Sequence, residues 1–118
     1  MTKSNASEPR LLFISGSARE QSWNKKLARL GHAIADANGI ASAFADLGDY
    51  PMPIYNGDIE TQEGSPENAH KLKALMKVHS GIFIASPEYN ASFSPLLKNA
   101  IDWVSHTRDE GEQPLEVF

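Results

Sequence analysis

Leu11-Leu12-Phe13-Ile14-Ser15-Gly16-Ser17-Ala18-Arg19-Glu20-Gln21-Ser22-Trp23-Asn24 is the stretch that decides how this chain folds. Its first four residues are an unbroken apolar run, the pattern of a strand buried on both faces of a parallel sheet. Small and hydroxylated residues follow, and a helical repeat then begins at Trp23. Strand, short polar turn and helix start together make a cradle suited to phosphate. A helix N-terminus presents unpaired N–H groups and the positive end of the macrodipole. Ser17, Ser22 and Asn24 bring side-chain donors, and Arg19 adds a charge-assisted one. Ser15 leads into Gly16, which lets the backbone turn tightly and approach a ligand closely. The run is neither a Walker A loop, which needs Gly-Lys-Ser/Thr, nor a G-x-G-x-x-G fingerprint. On chemistry alone, a phosphate site and an ordinary polar strand-to-helix turn both stay open.

Working outward, the spacing predicts a helix from about Trp23 to Ala37. Its apolar stripe is Trp23, Leu27, Leu30, Ile34 and Ala37, read as the core face, with Lys25, Lys26, Arg29 and Asp36 outside. On this pattern Trp23 is core rather than ligand contact. Asn38-Gly39 supplies the left-handed cap, and Ile40 to Leu47 reads as a less apolar strand at a sheet edge. Gly48 to Gly64 has no periodic pattern and reads as a long loop. Ser65-Pro66 opens a second helix, Ser as N-cap and Pro at the first helical position, with Ala69, Leu72, Leu75, Met76 and His79 on one face. Ile82-Phe83-Ile84-Ala85 is a third strand, and Ser86 to Phe93 a connecting loop. Ser94-Pro95 opens a third helix whose face is Leu97, Ala100, Ile101 and Val104. Residues 1–9 are polar and read as a flexible lead.

Strands alternating with helices predict an α/β fold, a parallel sheet with right-handed crossovers and helices on both faces. Ligands of such sheets sit beyond the carboxyl ends of the strands, where the strand order reverses. In the order 2-1-3 the loops at 15–24 and 86–94 become neighbours on one crevice. The second loop, Ser86-Pro87-Glu88-Tyr89-Asn90-Ala91-Ser92, carries a carboxylate, a phenol with a flat face, an amide and two hydroxyls. Asn90 can offer donor and acceptor to a planar heterocycle. A planar ring beside a phosphate is what a mononucleotide presents; the other reading is a turn in which Tyr89 packs locally and Glu88 is solvated.

Composition narrows the class. The chain has 118 residues, 41% hydrophobic and 22% charged, which suits one globular domain. A net charge of −4 gives no support to nucleic acid or an anionic membrane as partner. No apolar stretch nears the roughly 18 residues of a membrane span. There is no cysteine, so no disulfide or thiolate chemistry, and the expected compartment is a reducing cytoplasm. The four histidines lack ligand spacing, and no metal site is expected.

Gly16-Ser17-Ala18-Arg19-Glu20-Gln21-Ser22-Trp23-Asn24 resembles the G-S-x-R-x-x-S-x-N phosphate loop of the NADPH-dependent FMN reductases. Pro87-Glu88-Tyr89-Asn90-Ala91-Ser92, followed by Leu97-Lys98-Asn99-Ala100-Ile101-Asp102-Trp103, resembles that family's second signature. The resemblance spans about Arg10 to Ser105. It implies a flavodoxin-like three-layer αβα fold, bound FMN, and electron transfer from NADPH or NADH to quinone, azo, metal-oxyanion or flavin acceptors. Carried over by position, Ser17, Arg19, Ser22 and Asn24 would hold the FMN phosphate, with Ser15, Gly16 and Trp23 counted among the residues beside the cofactor. Pro87, Glu88, Tyr89, Asn90 and Ser92 would line the ribityl chain and the isoalloxazine. No protein side chain is assigned a catalytic role, because the flavin carries the chemistry. Asp102 is placed to pair with Lys98 one turn earlier. Trp103 either anchors a subunit interface, where the resemblance puts this helix, or covers the chain's own core.

A flavodoxin-like sheet has strands in the order 2-1-3-4-5, and at 30 or more residues per unit it needs roughly 150 residues. The sequence therefore reads as residues 10–118 forming the N-terminal part of an FMN-binding domain, with only the first three strand-helix units. Truncation of a longer product is expected over a short protein that completes its own sheet, and Leu115-Glu116-Val117-Phe118 would begin the approach to a fourth strand. A chain standing alone would leave its third strand as an apolar edge and is expected to form a homo-oligomer, a dimer or tetramer. Two functions follow: an FMN-dependent NAD(P)H oxidoreductase, or a non-catalytic flavin- or phosphate-binding module or assembly partner.

Overall fold

The computed structural model describes residues 9–108. The lead at residues 1–8 and the apolar group at 115–118 lie outside the described residues. Three parallel strands form the sheet: β1 (Arg10–Ser15), β2 (Ala41–Asp46) and β3 (Gly81–Ala85), in the order β2-β1-β3. Phe13 stands opposite Phe44 on one side and Phe83 on the other. The connecting helices are α1 (Trp23–Ala37), α2 (Gly57–Glu63), α3 (Glu67–Lys77) and α4 (Pro95–His106). The first crossover puts α1 on one face; the second runs back across β1 and puts α3, followed by α4, on the other.

Alternation along β1 divides the core. Leu12 and Ile14 point to the α3/α4 face and join Leu72, Met76, Leu97, Ala100 and Val104 in the larger cluster. Phe13 points the other way, toward Ala28, Ala35 and Ala85. At the far edge Ile82, Phe83 and Ile84 of β3 are exposed, because β1 is that strand's only neighbour among the described residues.

Helix α1 forms where its repeat predicts, but rotated. Trp23, Leu27, Leu30 and Ile34 are 75%, 48%, 56% and 53% exposed, while Lys25, Ala28 and Ala35 are buried. At 100° per residue the apolar stripe lies roughly 140° round the helix from the sheet-facing set. Close approach explains the choice. A Cβ at Gly31 would stand 2.6 Å from the Phe13 ring, so only small residues fit between helix and sheet. Trp23 is therefore not core, and Lys25 is not outside; Lys26, Arg29 and Asp36 are exposed as expected. The helix ends at Asn38-Gly39 as read, with Gly39 at φ +73° and its N–H on the Asp36 carbonyl at 3.1 Å.

Three further expectations change. Residues 48–64 are not one loop: a 3₁₀ turn (Leu47–Asp49) and α2 interrupt them, α2 being capped by the Asn56 side chain on the Asp58 N–H at 2.8 Å. Helix α3 starts at Glu67, since Pro66 is extended (ψ 153°) and occupies the cap itself without a side-chain bond. The loop after β3 contains a hairpin, β4 (Glu88–Tyr89) and β5 (Ser92–Phe93), turned by Asn90 and Ala91 at φ 52° and 66°. Helix α4 opens as read, Ser94 accepting the Leu97 N–H at 3.1 Å with Pro95 in the first turn.

Candidate functional site

The site is built where the chain leaves β1 and β3. Gly16 continues the sheet by donating its N–H to the Ala85 carbonyl at 2.8 Å. Its own carbonyl accepts the Ser94 hydroxyl at 2.6 Å, the same hydroxyl that caps α4. The Ser94 N–H donates to Ser86 Oγ at 3.2 Å. A Cβ on Gly16 would come within 3.3 Å of the Ser86 side chain, so glycine is what lets the two loops cross. The expected neighbourhood of 15–24 and 86–94 is thus observed, held by two serines that sequence reasoning placed only as a loop start and a helix cap.

Loop 15–22 buries its serines and exposes Arg19. Ser15 is fully buried, its Oγ 3.4 Å from the backbone of Ser17. Ser17 Oγ accepts the Arg19 N–H at 3.2 Å. Ser22 Oγ caps α1, accepting from Asn24 N at 3.1 Å and Lys25 N at 3.3 Å. Both hydroxyls act there as acceptors, so each keeps its O–H to donate. The exposed Arg19 guanidinium has one long contact, 3.4 Å to the Gln21 carbonyl. Ser17, Arg19, Ser22, Trp23, Asn24, Pro87 and Tyr89 line a crevice of about 200 Å³. A wider hollow of about 430 Å³ adjoins it, between Gly16–Arg19, Tyr89 and Ser94–Leu96.

Two hydroxyls, a guanidinium and an amide, with no carboxylate among the lining residues, fit a phosphate dianion. The flat sides of Trp23 and Tyr89 and the ring of Pro87 fit an aromatic ring beside it. The remaining members of the second loop are used differently. Glu88 accepts the Ala91 N–H with its carboxylate and so fastens the hairpin turn; Asn90 forms that turn, and Ser92 pairs with Tyr89 across it. Neither crevice counts these three in its walls.

The second half of that signature holds another segment. Asn99 accepts the Tyr55 N–H at 2.7 Å and donates to the Pro53 carbonyl at 3.0 Å. Trp103 is fully buried and donates Nε1–H to Pro53 at 2.7 Å, with the Tyr55 ring edge-on at 4.9 Å. Trp103 thus covers its own chain, strapped by residues 53–55. The Tyr55 hydroxyl donates to Glu60 at 2.7 Å, which, with partial burial, holds the phenol above its ordinary 10.0. Lys98 meets Asp102 at 2.7 Å as expected. Among the described residues no group of three metal-ligating side chains gathers, and no helix is long and apolar enough to cross a membrane.

A parallel sheet in the order β2-β1-β3, with helices on both faces and two loops meeting at its switch point, is a flavodoxin-like α/β architecture. The chain belongs to the NADPH-dependent FMN reductase family, whose model matches residues 9–116. It is similar to the quinone reductase of Escherichia coli strain K12, 35% identical over 100 residues covering 85% of this chain and 52% of that protein. A 2-hydroxy-1,4-benzoquinone reductase of a Burkholderia species is 36% identical over 98 residues, 81% of this chain and 50% of the other. Among solved structures, the flavoenzyme NAD(P)H:(acceptor) oxidoreductase FerB from Paracoccus denitrificans superposes with a TM-score of 0.67 at 30% identity, covering 87% of this chain and 53% of that one. The chain spans about half the length of these relatives.

Proposed function

We propose that this chain carries the FMN-holding half of an NAD(P)H-dependent oxidoreductase that reduces small acceptors, quinones first, with azo compounds, metal oxyanions and free flavins as further candidates. The single observation behind this is the convergence of the β1 and β3 exits on one crevice lined by hydroxyls, a guanidinium and two flat aromatic rings, without a carboxylate. Ser17, Arg19, Ser22 and Asn24 would bind the phosphate, and Trp23, Pro87 and Tyr89 would orient the ring. Bound FMN supplies the hydride and electron chemistry, with NADPH or NADH as donor. The outward stripe on α1 supports a homo-oligomer, and the cysteine-free sequence suits the cytoplasm. Because the chain spans half of its relatives, a second reading is a flavin-binding module without turnover of its own.

Titrating FMN into the purified chain, followed by flavin fluorescence, tests the site. Arg19→Ala should weaken binding by about 1.5–3 kcal/mol, the magnitude of a hydrogen bond to a charged group. An unchanged dissociation constant would remove Arg19 from the site. NADPH oxidation with a quinone acceptor then separates the two readings, since the module alone would bind without turnover.

A further inference from the structure

Lys25 sits in the first turn of α1, next to the positive end of the helix, a position that disfavours a cation. It is nevertheless buried there, its Nζ 2.7 Å from Asp46 Oδ2, with the two side chains 8% and 9% exposed. Asp46 ends β2, and its other oxygen accepts the Gly48 N–H at 2.8 Å. The turn so fixed lies against the loop: a Cβ on Gly48 would stand 3.3 Å from the Ala18 Cα. The loop has three supports. Gly16 is tied to β3 and α4, Ser22 to the cap of α1, and Ala18, midway between, rests on the turn that Asp46 shapes.

Buried ion pairs contribute little net stability, because desolvating two charges offsets their attraction; apolar replacements of similar size are often as stable. What the pair does supply is geometry. It fixes the start of α1 against the end of β2, with the Asp46–Gly48 turn under the loop between them. We propose that Lys25 and Asp46 are positioning residues, an ionic brace that holds loop 16–22 in its anion-binding form. The proposal rests on the FMN reading above and adds to it residues that touch no ligand.

The test is the double variant Lys25→Met with Asp46→Leu, which removes both charges without leaving either one buried and unpaired. Two measurements are made on the full chain. Hydrogen exchange without ligand should show residues 16–22 exchanging at least tenfold faster, with β1 and β3 unchanged. Flavin titrations should show FMN weakened at least tenfold and riboflavin, which lacks the phosphate, bound as before. Restoring the acceptor for Gly48, as Lys25→Met with Asp46→Asn, should recover part of the loss. Unchanged loop exchange overturns the brace, as does parallel loss of FMN and riboflavin. If the unmodified chain binds neither flavin, the FMN reading fails on its own, and hydrogen exchange alone decides the brace.

Discussion

The two faces of the sheet are covered by opposite means. Over the α3/α4 face, large apolar side chains point inward: Leu72, Met76, Leu97 and Val104 close on Leu12 and Ile14, and Trp103 is sealed under the Pro53–Tyr55 strap. Over the other, α1 approaches through Ala28, Gly31 and Ala35 and turns Trp23, Leu27, Leu30 and Ile34 outward. A helix with one apolar stripe has one preferred burial surface, but that surface need not be its own sheet. On the α1 face the small residues face the sheet and the large ones are offered elsewhere.

The two tryptophans give the sharpest way to break this contrast. Trp103→Ala should lower unfolding free energy by about 3–5 kcal/mol, the cost of emptying a buried aromatic site. Trp23→Ala, on the open face, should stay within about 0.5 kcal/mol. Urea unfolding of both variants reads the difference, and equal losses would mean that the stripe is buried after all. Next in size is Leu30→Glu, which should also leave the unfolding free energy within about 0.5 kcal/mol. If copies associate through the stripe, the same variant lowers the sedimentation coefficient; an unchanged coefficient in an oligomeric chain would place the contact elsewhere.

The smallest effect concerns the strap that only the α3/α4 face possesses. Tyr55 has a raised pKa, chiefly because its hydroxyl donates to Glu60. An unfolded tyrosine ionises near 10.0, before the folded one does. The contribution of the Tyr55–Glu60 hydrogen bond is thus complete below that pH and is lost as pH rises through the folded value. Ultraviolet titration should find a Tyr55 midpoint above 10.0, moved downward by Glu60→Gln. A midpoint unmoved by that substitution would remove Glu60 as the cause.

Much of this architecture was legible in the residues. Bare apolar runs at 11–14 and 82–85, separated by helical repeats, read as parallel strands; the order 2-1-3 came with the resemblance to the FMN reductases, and the structure has it. Loop convergence followed from that order. The rotation of α1 was not legible, since Ala28, Gly31 and Ala35 carry almost no hydropathy while Leu27 and Leu30 dominate the periodic pattern. Lys25 was misplaced for the same reason: a lysine reads as solvent-facing unless its partner is known, and Asp46 arrives from another strand. Helix α2 has no buried residue and hence no stripe to detect. The hairpin has strands of two residues each, below the length at which alternation shows.

One hydroxyl sets a kinetic condition on the cradle. Ser94 reaches Gly16 across 78 residues of chain, so this contact has a high sequence separation and a large closure entropy. Sequence-local helix formation in α1 can precede it, because Ser22 caps that helix from within its own loop. The full cradle cannot: it exists only after β3 has docked beside β1 and brought Ser94 with it. The crossing of the two loops is a long-range contact, and a fragment ending before Ser94 lacks the hydroxyl that joins them.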